Sequence, residues 1–297
     1  MQSQSILEQI EPGTWKRLLG RRAMVRQGVV AGLAATSVPM FLAALARDAH
    51  AQAVPTVLQV LNFALTLEHL EAEFYNIAVG RTAIPAAYGT AATVLAGGGA
   101  SLRPVMEEIA KHETAHVTVL QQTITQLGGT PVAKPTFDFT GGRGATGANG
   151  RFGGPFADVF TNAQTFLALA QAFEDTGVRA YKGGAAALVS NVPVLEAALQ
   201  IHSIEARHAA MVRRLRAEKG WVSGRASTLP TAAQAVYGPG AAAAQFPAED
   251  NTSQAGVNVA TLAGASGQVG VAAASEAFDE PLDVATVLQI AGLFIRA

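Results

Sequence analysis

With 297 residues, 49% of them apolar, the chain is long enough for one sizeable core or two small ones. A formal net charge of −1 offers no basic face for nucleic acid, and with only 14% of residues charged the position of each charge is informative. The absence of cysteine excludes disulfides, thiolate metal sites and cysteine nucleophiles. Any metal must be held by oxygen and imidazole, a donor set that suits iron, manganese or zinc.

Residues 1–53 read as a targeting segment. Lys16, Arg17, Arg21, Arg22 and Arg26 precede an uncharged, mostly apolar stretch from Gly28 to Ala46, and the small-residue run Ala49-His50-Ala51-Gln52-Ala53 follows. That is a charged region, an apolar region and an A-x-A cleavage site. Gly20-Arg21-Arg22-Ala23-Met24-Val25-Arg26 resembles a twin-arginine export signal, with Gly20 and Met24-Val25 departing from the usual neighbours of the arginine pair. The expected mature chain begins near Gln52 or Val54 and is periplasmic or extracellular. The alternative is a retained membrane anchor at Gly28–Ala46, a stretch near the lower limit for a span and interrupted by Pro39.

Four helices are expected over residues 54–220. The first runs from Val54 to Val79, with Pro55 at its start and Val57, Leu61, Ala64, Leu65, Glu68, Glu71 and Tyr75 at helical spacing. A second spans Leu102 to Leu127, with Pro104 tolerated in its first turn and Gly128-Gly129 at its end. Residues 130–155 are Gly-rich and aperiodic. A third helix is expected over Phe156–Tyr181, stopped by Gly183-Gly184, and a fourth over Val192–Lys219, stopped by Gly220. Two helices, one long crossover and two more helices make an all-α, ferritin-like four-helix bundle. Residues 221–297 form an irregular Ala- and Gly-rich extension. It should end in a short helix started by Pro281, with Asp283 near its N-terminus and Val284, Val287, Leu288, Ala291 and Phe294 as its apolar stripe.

Each bundle helix carries a candidate metal ligand. Glu68 lies in the first, Glu113-Thr114-Ala115-His116 in the second, Glu174 in the third and Glu205-Ala206-Arg207-His208 in the fourth. Glu-x-x-His puts carboxylate and imidazole one turn apart on one face, where both reach the same ion. A lone Glu on two helices with Glu-x-x-His on the other two is the di-iron or di-manganese pattern of such bundles. The order repeats, and Tyr75 follows Glu68 at the interval at which Tyr181 follows Glu174, so the halves read as copies of one hairpin. Four carboxylates balance two divalent ions, which allows burial of a filled site. Glu113 and Glu205 are the expected bridges, with Glu68 and Glu174 terminal. Glu71, Tyr75, Tyr181 and His202 are candidate supporting groups. Glu71 is matched by Gly177 in the second half, so Glu68 is the better ligand. His69 and His112 have weaker claims and read as readily as surface groups.

The segments Leu61-Asn62-Phe63-Ala64-Leu65-Thr66-Leu67-Glu68-His69-Leu70-Glu71, His112-Glu113-Thr114-Ala115-His116-Val117, Ala180-Tyr181-Lys182-Gly183 and Ala277-Phe278-Asp279-Glu280-Pro281-Leu282 resemble secreted ferritin-like domain proteins often labelled desiccation-related. The resemblance spans Val54 to Phe294 and implies a ferritin-like fold and metal binding. The site residues also resemble the di-metal pattern of bacterioferritins and manganese catalases. The expected cofactor is a pair of divalent ions, iron or manganese, and the expected partners are metal ions and small oxidants, with no nucleic acid and no membrane after cleavage. The expected chemistry is ferrous oxidation or peroxide removal, with a dimanganese catalase as the close alternative. The rival from another class is a stress-associated structural protein whose metal only locks the bundle.

Overall fold

In the computed structural model, which describes residues 55–96, 102–147, 149–225 and 228–296, the fold is built on four long helices: α1 (Val57–Val79), α2 (Leu102–Gln126), α3 (Ala163–Leu188) and α4 (Val192–Leu215). The expected export signal and cleavage point lie outside these residues. Short elements follow in the C-terminal part: the two-residue strands β1 (Ser253–Gln254), β2 (Val257–Asn258), β3 (Ala263–Gly264) and β4 (Gly267–Gln268), paired as two antiparallel ladders, and helices α5 (Val271–Glu276) and α6 (Val284–Ala291).

The helix ends follow local chemistry. Thr56 caps α1 by accepting from the Gln59 N–H, while the Gln59 side chain accepts from the Thr56 N–H, a reciprocal pair that satisfies two otherwise orphaned donors. Pro55 therefore precedes the cap rather than opening the helix. Gly80, at φ 83°, ends α1 in the left-handed conformation that costs glycine least. Asn191 caps α4 and Asp283 caps α6 through their side-chain oxygens.

The third helix departs most from expectation. It starts at Ala163, where Asn162 accepts from the N–H groups of Gln164 and Thr165, and not at Phe156. Phe156, Val159 and Phe160 are buried in the preceding turns, so their apolar spacing reports core packing. It also runs through Gly183-Gly184 to Leu188. Glycine at 183 serves close approach, because a Cβ there would collide with the Leu282 carbonyl of the C-terminal segment. The fourth helix stops at Leu215, with Arg213 and Arg214 in its last turn, short of the expected Lys219.

Contacts run head to tail between partners: Val79 with Arg103 and Glu68 with His116 in one hairpin, Asp175 with Arg213 and Gln171 with Arg216 in the other. Hairpins α1–α2 and α3–α4 are thus antiparallel, and one long crossover joins them, which is the ferritin-like bundle. α1 and α3 are buried almost all round, whereas α2 and α4 bury one stripe each. The extra cover on α1 and α3 comes from the crossover and the C-terminal segment. Phe139 of the crossover packs on Phe74 and Phe173, and Phe74 stacks on Phe166 with centroids 4.6 Å apart. Phe294 meets Phe173 edge-on at 4.9 Å. The buried Arg179 guanidinium of α3 donates to the carbonyls of Val236, Gly238, Pro247, Glu280 and Pro281 and pairs with Glu249. One α3 side chain therefore pins several loops of the extension. Among the described residues, no helix is long and apolar enough to cross a membrane.

Candidate metal centre

Midway along the bundle, Glu68, Glu113, Glu174 and Glu205 are fully buried, and His116 and His208 nearly so. Their ligand atoms form two quartets: Glu68, Glu113, His116 and Glu205, and Glu113, Glu174, Glu205 and His208, the atoms of each lying within 4.8 Å of one another. Glu113 and Glu205 belong to both. Each quartet adds one histidine and one lone glutamate, so two ions would share the Glu-x-x-His carboxylates.

The close contacts are made by Nδ1 of each imidazole. His116 Nδ1 lies 3.1 Å from Glu68, 3.2 Å from Glu113 and 3.3 Å from Glu205. His208 Nδ1 lies 2.9 Å from Glu113 and 3.2 Å from Glu174. The tyrosines cross between hairpins: Tyr75 of α1 donates to Glu174 of α3, and Tyr181 of α3 donates to Glu68 of α1 at 2.5 Å. Each hairpin thereby fixes the other's lone glutamate.

The donor set fits metal. Among the described residues, Glu113 Oε1, Glu174 Oε2, both Glu205 oxygens and His208 Nδ1 are buried without a well-aligned hydrogen bond, and apart from Glu205 Oε2 their polar contacts are imidazole–carboxylate contacts inside the cluster itself. Buried polar atoms are normally well satisfied, and lone-pair donors crowded against one another in this way are what a divalent ion would satisfy. Burial raises Glu68 to about 7, against the pull of His116. Burial, reinforced by the charges of Glu113 and Glu68, drives Glu205 well above the carboxylate range. Glu174 is also raised by burial. Glu113 moves the other way: burial opposes ionisation, but hydrogen bonds and charge from His116 and His208 outweigh it and hold it at about 2. Burial would lower His208, yet Glu174 and Glu113 carry it to about 11, and His116 is raised for the same reason. Without metal, the cluster shares protons because its charges cannot all be ionised together.

The supporting candidates separate. Glu71 is buried beside the cluster, and burial plus the charges of Glu205 and Glu113 push it far up. It belongs to neither quartet. A small, mainly apolar pocket reaches it, lined by Leu67, Leu70, Phe173, Thr176, Gly177, Ile290 and Ala291. A methyl group at Gly177 would lie 2.7 Å from Glu205 Oε2 and 3.4 Å from Glu71 Oε1, so glycine leaves the pocket open toward both carboxylates. His202 is in neither quartet, and its Nε2 finds no partner among the described residues. His69 is buried rather than at the surface, where burial lowers it to about 4. Asp175, next to Glu174, turns away to Arg213 and Tyr237.

His112, read from the sequence as a weaker candidate that could as readily lie at the surface, is half-exposed and also touches the cluster. Its ring stacks on His208 at 5.2 Å, and its Nδ1 lies 3.0 Å from His208 Nε2. Its place one turn before His116 was a signal for the metal-facing side of α2, but nothing in the spacing shows that it crosses to α4.

No curated protein matches the chain in sequence. The ferritin-like domain profile matches residues 56–218, which includes all four bundle helices and all six ligand candidates and is more than half of the chain, so the chain belongs to the ferritin-like domain family.

Proposed function

We propose that the bundle core holds two divalent ions, iron or manganese, and that the protein carries out redox chemistry with small oxidants in an exported compartment. One observation carries this reading: two overlapping quartets of buried ligand atoms share Glu113 and Glu205, and their polar atoms face one another. Glu113 and Glu205 would be shared between the ions, Glu68 and Glu174 would each serve one ion, and His116 and His208 would each hold one. A bound pair supplies Lewis acidity and two redox equivalents to a molecule between the ions. The residues orient that pair. Tyr75 and Tyr181 hold the lone carboxylates, and the small, mainly apolar pocket at Gly177 reaches Glu71 beside Glu205. An apolar approach favours dioxygen or peroxide over a charged substrate on this side. The resemblance to desiccation-related secreted proteins and the Arg21-Arg22 pair support export and a protective role.

Protein recovered from outside the cytoplasm should begin near Val54 and carry two ions per chain by elemental analysis, and it should consume peroxide or oxidise ferrous iron. An intact Met1 would overturn cleavage of the signal. Two ions without either activity would favour a metal that only locks the fold. A protein that takes up neither iron nor manganese after loading would sink the di-metal reading.

A further inference from the structure

The two candidate ion sites match closely, except in what stands behind their histidines. Each Nδ1 faces the carboxylates, so each Nε2 points away. His208 Nε2 meets His112 Nδ1 at 3.0 Å, and His112 Nε2 lies 3.5 Å from Glu108 Oε1. The His112 side chain is 42% exposed and that of Glu108 56%. The chain of contacts thus runs from a buried cluster atom to solvent in two side chains. In the second hairpin the residue matching His112 is Ile204, which offers no such atom to His116. Among the described residues, no hydrogen bond reaches His116 Nε2 from any side chain.

We propose that His112 is a positioning residue for one of the two ions: it accepts the Nε2–H of His208 on Nδ1, fixes the tautomer that leaves His208 Nδ1 free to bind metal, and turns its own Nε2 toward the Glu108 carboxylate. This rests on the di-metal reading. A liganding imidazole whose other nitrogen donates to a partner is held in orientation and made more basic, and losing such a partner costs roughly 10–100-fold in metal affinity. The two sites are therefore inequivalent. The His208 site has a supporting imidazole and a carboxylate behind it, and the His116 site has neither. Stacking of the two rings, nearly parallel at 8°, adds a second restraint on His208.

The test is a cobalt(II) titration of the full chain, followed by calorimetry and by the visible absorption of the bound ion. His112→Leu keeps bulk and removes the acceptor. His112→Asn places Oδ1 where Nδ1 stood. The parent should take two cobalt ions. His112→Leu should weaken one of them about 10–100-fold and leave the other unchanged, with a shifted absorption band for the weakened site. His112→Asn should restore affinity to within about threefold of the parent, which a merely space-filling role would not do. Equal affinities in parent and His112→Leu, with two ions bound in each, would overturn the proposal and leave the di-metal reading standing, as would an Asn variant no better than Leu. A folded parent that binds no cobalt would overturn both.

Discussion

The two hairpins carry the same chemical parts in different electrostatic states. Glu68 corresponds to Glu174, Glu113 to Glu205, His116 to His208 and Tyr75 to Tyr181, and each tyrosine bonds to the other hairpin's glutamate. The correspondence fails at several places, among them Glu71 against Gly177, His112 against Ile204, Ala110 against His202, and Glu73 against Arg179. The last pair shows that each central helix anchors its own overlying segment. Glu73 pairs with Lys134 of the crossover, and Arg179 pins the C-terminal segment. The lesson is that the shared positions build the proposed two-ion site, while the mismatched ones decide what surrounds each side of it. Glu71 and Gly177 open the apolar side, and His112 opens the polar one.

The sharpest way to break the comparison is at the two shared carboxylates. Glu113→Gln and Glu205→Gln should both abolish binding of the ion pair, since each group belongs to both quartets. Their effects on the metal-free protein should differ. Glu113 is the ionised partner of two buried imidazolium groups, so neutralising it strands charge in the core and should cost roughly 3–5 kcal/mol. Burial drives Glu205 toward its protonated form, which glutamine imitates, so the cost should stay within about 1 kcal/mol. Chemical denaturation in the presence of a chelator measures both. Equal losses would mean that the hairpins are electrostatically equivalent.

Much of this site was legible in the sequence because its signals are local. Glu-x-x-His spacing and the repeated order depend only on helical period, and that period survives whatever packs outside. The start of α3 was not legible. Phe156, Val159 and Phe160 sit at apolar intervals, but Asn162 begins the hydrogen-bonded helix, and only the tertiary core explains the aromatic residues before it. Gly183-Gly184 read as a stop because glycine is a poor helix former. Its cause lay in Leu282, about a hundred residues away, whose carbonyl occupies the space of a side chain. The contact of His112 with His208 was not legible for a related reason: its partner is on a helix from the other half.

A smaller effect follows from the proton sharing. Glu68, raised to about 7, keeps its proton in the folded state after the unfolded chain has lost it near 4.5, so its contribution is present at low pH and is lost as pH rises through 7. His208, raised to about 11, contributes fully below about 6.5 and loses that contribution as pH rises toward 11. Glu113 works in the opposite sense but only in acid, since its contribution is present above 4.5 and lost toward 2. Between pH 5 and 8 the metal-free protein should therefore lose thermal stability as pH rises. Metal binding releases those protons and tightens over the same window. The gap in Tm between metal-loaded and chelator-treated protein should widen from pH 5 to 8 in scanning calorimetry, and parallel curves would contradict the shared-proton cluster.

The smallest expected difference lies where the hairpins agree. Tyr75→Phe removes the donor to Glu174, and Tyr181→Phe removes the donor to Glu68. Each leaves a buried carboxyl oxygen without its hydroxyl partner, which costs about 1–3 kcal/mol. The surroundings differ modestly. Tyr75 lies among Phe74 and Phe166, whereas Tyr181 packs against aliphatic residues such as Val60, Leu61 and Leu65. Phenylalanine keeps the ring in both places, so those contacts survive and the two losses should agree to within about 0.5 kcal/mol, the error expected of independent sites. Their metal effects should be opposite in address. Tyr75→Phe loosens the terminal carboxylate of the His208 quartet, and Tyr181→Phe that of the His116 quartet. A cobalt titration of the two variants should weaken different ions, and with His112→Leu in the same background only Tyr75→Phe should show a non-additive loss, because those two changes act on one ion. If Tyr181→Phe coupled to His112→Leu as strongly, the supports would not be divided between the ions, and the asymmetry drawn from Ile204 would fail.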